Sequence, residues 1–273
     1  MPISEARKRF SGVVLAILIA GLGAPAVALD PAAQVGEDIT PAQAYERAAQ
    51  AYRDGENDAA LNALEFAARK GYAKAQWELA RRYAEGDGVK RNDLKAFEYF
   101  RMLADEHAED NPFLSGARII ADSFVELSEY YLSGIPDSEV VQDMSQALNL
   151  LRHAATYFGD PDAQYRLGKM YLEGQGVSRS EHLAARWLAL AARKNHVEAQ
   201  GELGRLLVTV GKSPSVRLQG LTFLELARRK ADPIEQAWIL EAHGEVFVGL
   251  GEDERQMVVT AADKWAKDKT AQR

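Results

Sequence analysis

The chain has 273 residues, 47% of them hydrophobic and 27% charged, ordinary proportions for a folded protein that argue against disorder over most of its length. Its 40 Asp and Glu outnumber 33 Lys and Arg, a net −7 that argues against binding a nucleic-acid backbone and against adsorption to anionic lipid. No cysteine is present, which excludes disulfides, thiolate metal sites, a cysteine nucleophile and a lipid-modified N-terminal cysteine.

The first predicted element is a signal peptide over residues 1–28. Arg7, Lys8 and Arg9 form a basic cluster, Val13 to Leu22 are apolar, and the small-x-small triplet Ala26-Val27-Ala28 follows Pro25. That order is the pattern of a secretory signal with cleavage expected after Ala28. The competing reading is an uncleaved anchor, which Gly21, Gly23 and Pro25 disfavour because they interrupt a spanning helix. The expected location is the periplasm, with no membrane insertion once the signal is removed. Losing Glu5 with the three basic residues leaves a net charge of −9.

Residues 29–41 read as a lead-in linker. Thr40-Pro41 with Gln43 then predicts a capping box at the start of the first helix. From residue 42 to 267 the chain repeats. An aromatic is followed three residues later by glycine at Tyr52/Gly55, Tyr83/Gly86, Tyr131/Gly134 and Tyr171/Gly174, and two degenerate copies end at Gly211 and Gly249. A second anchor, a large apolar residue with small or apolar residues three and four places on, begins at Leu64, Phe100, Leu151, Leu188, Leu224 and Val258. The second set recurs at steps of 36, 51, 37, 36 and 34 residues. The long step predicts an insertion near 105–116, where an acidic run reads as an exposed loop.

Both anchors make sense on paired helices. Leu167, Gly168 and Tyr171 share one face, and Gly168 lets a neighbouring helix approach, as Gly204 does in a later copy. Gly174 supplies the left-handed residue that ends a helix, and Asp160-Pro161 and Asp232-Pro233 predict helix starts. No segment alternates with period two, so no sheet is expected. The predicted fold is all-α: an α-solenoid, a right-handed superhelix of about six helix pairs, with a short tail over 268–273.

The residues Ala163-Gln164, Leu167-Gly168, Tyr171, Gly174-x-Gly176-Val177, Ala184-Ala185-x-Trp187 and Ala191-Ala192 resemble the Sel1-like repeat family, relatives of the tetratricopeptide repeats. A second copy runs from Ala75-Gln76 through Leu79, Tyr83 and Gly86-x-Gly88-Val89 to Lys95-Ala96 and Tyr99. As an exported, cysteine-free chain of such repeats, it is most similar to the ExoR-type negative regulators of exopolysaccharide production. That resemblance implies a periplasmic protein whose partner is the sensing domain of a membrane sensor histidine kinase, held inactive by the bound regulator. A general cell-envelope scaffold is the alternative, and a periplasmic enzyme the remote one.

No catalytic, cofactor-binding or metal-binding residue is predicted. His107, His153, His182, His196 and His243 lack metal-ligand spacing and read as surface or helix-end residues. The acidic run at 105–111 lacks the alternating ligands and central glycine of a calcium loop. The Gly-x-Gly pairs at 86, 174 and 249 follow no strand, so they read as helix-ending turns rather than phosphate cradles. No Gly-x-Ser-x-Gly element is present. Of the tryptophans, Trp187 reads as core, whereas Trp77 is the one candidate for a protein-binding residue on an inner surface.

Overall fold

The computed structural model describes residues 39–271; the expected signal peptide and most of the lead-in lie outside the described residues. Twelve α-helices and no strand occur among the described residues: α1 Pro41–Arg53, α2 Asn57–Arg69, α3 Ala73–Glu85, α4 Asp93–His107, α5 Ala117–Ser133, α6 Met144–His153, α7 Pro161–Glu173, α8 Glu181–Arg193, α9 Val197–Val210, α10 Pro214–Arg228, α11 Ala237–Phe247 and α12 Glu252–Ala271. Each odd-numbered helix up to α9 packs on the even-numbered helix that follows, and the even helix packs on the next odd one. No helix among the described residues is long and apolar enough to cross a membrane.

Local chemistry sets the helix starts. Thr40 and Gln43 form the predicted capping box, and the Asp160 carboxylate accepts the Ala163 N–H with Pro161 in the first turn. Asn92, Asp143, Ser180 and Ser213 cap α4, α6, α8 and α10 in the same way. The stops are glycines at positive φ: Gly55, Gly86, Gly134 and Gly174 have φ between 71° and 79°, with Gly86 and Gly174 in the left-handed helical region and Gly134 extended at ψ 169°. The two degenerate copies differ. Gly211 has φ −68° and Gly249 is not left-handed either, so the later helices end without that turn.

All six second-helix anchors are core residues, none more than 2% exposed. Full burial of each large apolar side chain contributes about 1.5–3 kcal/mol. The small residues set the helix spacing. A Cβ on Gly168 would lie 2.7 Å from the Leu188 side chain, and one on Gly204 would lie 2.8 Å from the carbonyl oxygen of Gly220.

A polar device recurs between pairs. Gln76, Gln164 and Gln200 are buried, and each Nε2 donates to a carbonyl at the end of the preceding segment, respectively Ala68, Ala155 and Ala192, at 3.0–3.1 Å. These amides give carbonyls at a helix C-terminus, outside the regular ladder, a side-chain donor; those of Ala68 and Ala192 also accept the N–H of Gly71 and Asn195 in the turn.

Four boundaries depart from the sequence expectation. The helix α4 continues through Asp105, Glu106 and His107, so the loop spans only 108–116. Past His153, α6 widens into a π-helical turn, Ala154–Phe158, closed by left-handed Gly159. Asp232 accepts the N–H groups of Ile234 and Glu235 and caps a single turn, delaying α11 to Ala237. Finally, α12 continues through residue 268 into the expected tail. The last two helices also break the hairpin plan: α11 and α12 each pack on α10 and scarcely touch one another.

Candidate functional site

The first helices of pairs two to five place one face each around a common hollow of about 500 Å³. Its wall is periodic, because residues four apart stand one above another on a helix. Trp77, Arg81 and Glu85 come from α3; Arg118, Asp122 and Glu126 come from α5. Asp162, Tyr165 and Arg166 follow from α7, with His196 and Glu198 at the start of α9.

The arginines are largely committed within the wall. The Arg81 guanidinium lies 4.9 Å from the Trp77 ring centroid and pairs with Glu85, while Arg166 pairs with Glu129. The carboxylates of α5 are less well compensated. Burial, followed by the neighbouring charge of Asp160, pushes the Asp122 carboxyl up to about 6. Arg118, its ion-pair partner, is 3.8 Å away with a side chain 87% exposed. Partial desolvation by the surrounding wall also raises Glu126, although the residue is exposed overall, against the longer-range pull of Arg166.

Asp162 behaves oppositely. Its hydrogen bond from His196 holds the carboxyl below the ordinary range despite burial. The His196 Nε2 lies 2.8 Å from Asp162, and its Nδ1 accepts the Ala199 N–H at 3.2 Å, so one imidazole caps α9 and ties it to α7. Tyr165, whose ring sits 4.7 Å from that imidazole, is pushed up to about 12 by burial and then by Glu202 and Glu198.

Carboxylate oxygens of Asp122, Asp160 and Asp162 lie within 4.8 Å of one another. Each has another role: Asp160 caps α7, Asp162 holds His196 and Asp122 faces Arg118. The grouping arises from the tertiary fold, since Asp122 is remote from the other two in sequence.

Trp77, the candidate from sequence, lines this hollow, and the other tryptophans do not. Trp187 is half-buried against the core; Trp238 covers Gly201, and Trp265 meets Phe223 edge-on at 5.2 Å. The expectation of surface or helix-end histidines holds for His153, the last residue of α6, and His196, the N-cap of α9, and is corrected at His243, which lies inside α11. The side chains of His196 and His243 are only 9% and 13% exposed, because each bonds a carboxylate between helices. His153 stacks among Phe124, Tyr157 and Phe158 and bonds the Ala108 carbonyl, fixing the base of the 108–116 loop. Asp122, Glu126, Arg166 and His196 were not singled out as site residues by sequence. The four-residue spacing of Arg118, Asp122 and Glu126 on one helix was the available signal.

Comparison with known proteins agrees with this geometry. The Sel1 repeat family matches residues 73–107, 125–156 and 161–196. An exopolysaccharide production negative regulator of Rhizobium meliloti is 33% identical over 91% of this chain and 90% of its own length. The protein of that name from Rhizobium leguminosarum bv. viciae is 30% identical, over 91% of each chain. Among solved structures, a Sel1 repeat protein from Oxalobacter formigenes superposes with TM-score 0.57 at 23% identity, over 70% of this chain and 74% of that one. A protective antigen of uropathogenic Escherichia coli with an SLR fold gives TM-score 0.50 at 18% identity, over 83% of this chain and 53% of that one. The chain belongs to the Sel1-repeat family of exopolysaccharide production negative regulators.

Proposed function

We propose that this protein is a periplasmic regulator that binds the sensing domain of a membrane sensor histidine kinase, biases it toward its inactive state and so represses exopolysaccharide production. The observation that carries the reading is the match to named negative regulators along nine-tenths of both chains. The hollow supports a binding rather than a chemical role: it gathers aromatic and charged side chains from four successive first helices. The basic, apolar and small-residue order of residues 1–28 supports export.

The mechanism needs no reaction. A regulator that binds one state of a two-state kinase more tightly shifts the population by that difference in affinity, and complete reversal of a 1:99 equilibrium takes about 5.5 kcal/mol. Such a difference is within reach of a surface of this kind.

Two experiments test the reading. Deleting the gene is expected to give excess exopolysaccharide, and colonies that stay unchanged refute repression. Capture with the tagged protein from the periplasmic and membrane fractions is expected to recover one histidine kinase near one-to-one. Recovery of many envelope-assembly proteins and no kinase would favour a scaffold instead.

A further inference from the structure

We infer that the hollow between α3, α5, α7 and α9 is a cation-accepting cleft, which takes a lysine or arginine side chain of a partner polypeptide beside Trp77 and against Asp122 and Glu126. The inference rests on the reading that this protein binds a polypeptide, and it narrows the chemistry of that partner.

Charge complementarity carries it. Five carboxylates line the hollow, Glu85, Asp122, Glu126, Asp162 and Glu198, against three guanidiniums. Arg81 is taken by Glu85 and Arg166 by Glu129, which lies outside the lining, while Arg118 stands largely in solvent. Among the described residues Glu126 has no hydrogen bond or ion pair; it is exposed at the rim of the hollow, one turn from the half-buried Asp122. A half-buried carboxylate such as Asp122, whose one ion-pair partner stands largely in solvent, costs free energy in the unbound protein. A cationic side chain entering the hollow offsets that cost and pairs with both acids in a medium of reduced dielectric.

The walls suit the stem of such a side chain as well as its head. Trp77 and Tyr165 supply aromatic surface, which accepts the methylenes of lysine or arginine and attracts the charge. The volume falls within the ~300–1,000 Å³ typical of ligand clefts. The protein already uses this chemistry internally, with Arg81 against Trp77 and Arg82 3.8 Å from the Tyr52 ring centroid. An acidic segment would meet the uncompensated carboxylates, and a purely apolar one would bury them without a partner.

The test uses the purified protein and labelled degenerate octapeptide pools whose two central positions are fixed as Arg, Lys, Gln or Glu, read by fluorescence anisotropy. The Arg and Lys pools are expected to bind at least ~5-fold more tightly than the Gln pool, and the preference is expected to shrink with added salt. The double variant Asp122→Asn/Glu126→Gln is expected to abolish the preference while its melting temperature holds or rises, because the half-buried charge of Asp122 is removed and Glu126 is exposed. A charge-matched control on exposed positions of pair one, Glu46→Gln/Asp58→Asn, is expected to retain the preference. Equal binding of the Glu pool, absence of binding by any pool, or a cationic preference that survives in Asp122→Asn/Glu126→Gln overturns the inference. Kinase capture that is undiminished by the same double variant overturns it while leaving the regulator reading intact. Failure of kinase capture with the pools still discriminated does the reverse.

Discussion

From α3 to α10 neighbouring helices lock together by close approach and buried amides, whereas beyond α10 a cluster of charges is added to the apolar packing of Val258, Ala262 and Trp265. In the middle of the array, Gly168 and Gly204 admit Leu188 and Leu224 at distances no side chain would allow, and Gln164 and Gln200 stitch one pair to the next. At the C-terminal end, Glu225 of α10 is only 4% exposed and accepts hydrogen bonds from Arg228, Arg229 and His243, the last on α11. Arg229 continues to Asp263 on α12. Two helices that scarcely touch one another are thus joined through a third. The difference shows how one repeat plan can end: where no next pair follows, directional ion pairs supplement the apolar contacts that α11 and α12 make.

The largest effect should come from breaking that fit. In Gly204→Ala the added methyl would lie 2.7–2.8 Å from Leu224 and from backbone atoms of α10, which cannot move without shifting a helix. We expect a loss of about 3 kcal/mol, read as a lower urea midpoint. Unchanged stability would mean that the close approach is not what sets α9 against α10.

The corresponding cut at the C-terminal end is Glu225→Gln. Burial pushes this carboxyl up, but the bonds from His243, Arg228 and Arg229 outweigh burial and hold it well below the ordinary range. A depressed native value means that its stabilisation is present above pH ~4.5 and is lost only as acid takes the pH well below that value. We expect Glu225→Gln to cost about 2 kcal/mol at pH 7, and hydrogen exchange should rise in α11 and α12 before the rest. A uniform rise along the array would show that the last helices are not a separate cooperative unit.

How far this contrast was legible in sequence depends on the kind of force. Steric patterning was readable: Leu64, Phe100, Leu151, Leu188, Leu224 and Val258 recur at a helix-pair period and all are core. Gly168 and Gly204 stood out because a glycine inside an apolar helical face has few other uses. Gly220, which faces Gly204, carried no such pattern, because its own copy lacks the alanines around it. The polar locks were hidden for another reason. Gln76, Gln164 and Gln200 were visible as part of a motif, but their target carbonyls lie eight or nine residues earlier across a turn. His196 and His243 find their carboxylates only through tertiary packing. The hollow followed the same rule: the aromatic Trp77 was legible as a candidate, and the acids that face the same space from α5 were not.

A sharper version of the comparison uses pH. Asp122 is raised to about 6 from an ordinary 3.8, so its sign is opposite to that of Glu225. Its favourable contribution is fully present below about pH 4 and is lost as pH rises through about 6. Linkage over that range amounts to roughly 3 kcal/mol, and solvent screening of a partly exposed side chain reduces the expected effect to about 1.5 kcal/mol. Asp122→Asn should therefore raise the melting temperature at pH 7 and leave it unchanged at pH 4. A variant that is destabilised at pH 7 would show that Arg118 compensates Asp122 after all.

The smallest effect separates the two kinds of glycine stop. Gly174 ends α7 at φ 75°, a conformation that costs an L-residue about 1 kcal/mol. Gly249 follows α11 outside the left-handed region, and an added Cβ would meet nothing closer than the Val246 carbonyl oxygen at 3.9 Å. Gly174→Ala should accordingly lose about 1 kcal/mol. Gly249→Ala should be neutral or gain about 0.5 kcal/mol by restricting the unfolded chain. Both changes add one methyl at the same place in the repeat, so thermal melts of the pair isolate backbone conformation from every packing term. Equal losses at the two positions would mean that the last copy keeps the left-handed stop of its predecessors. The distinction between the interlocked middle and the ionically clamped end would then begin after residue 249 rather than at α10.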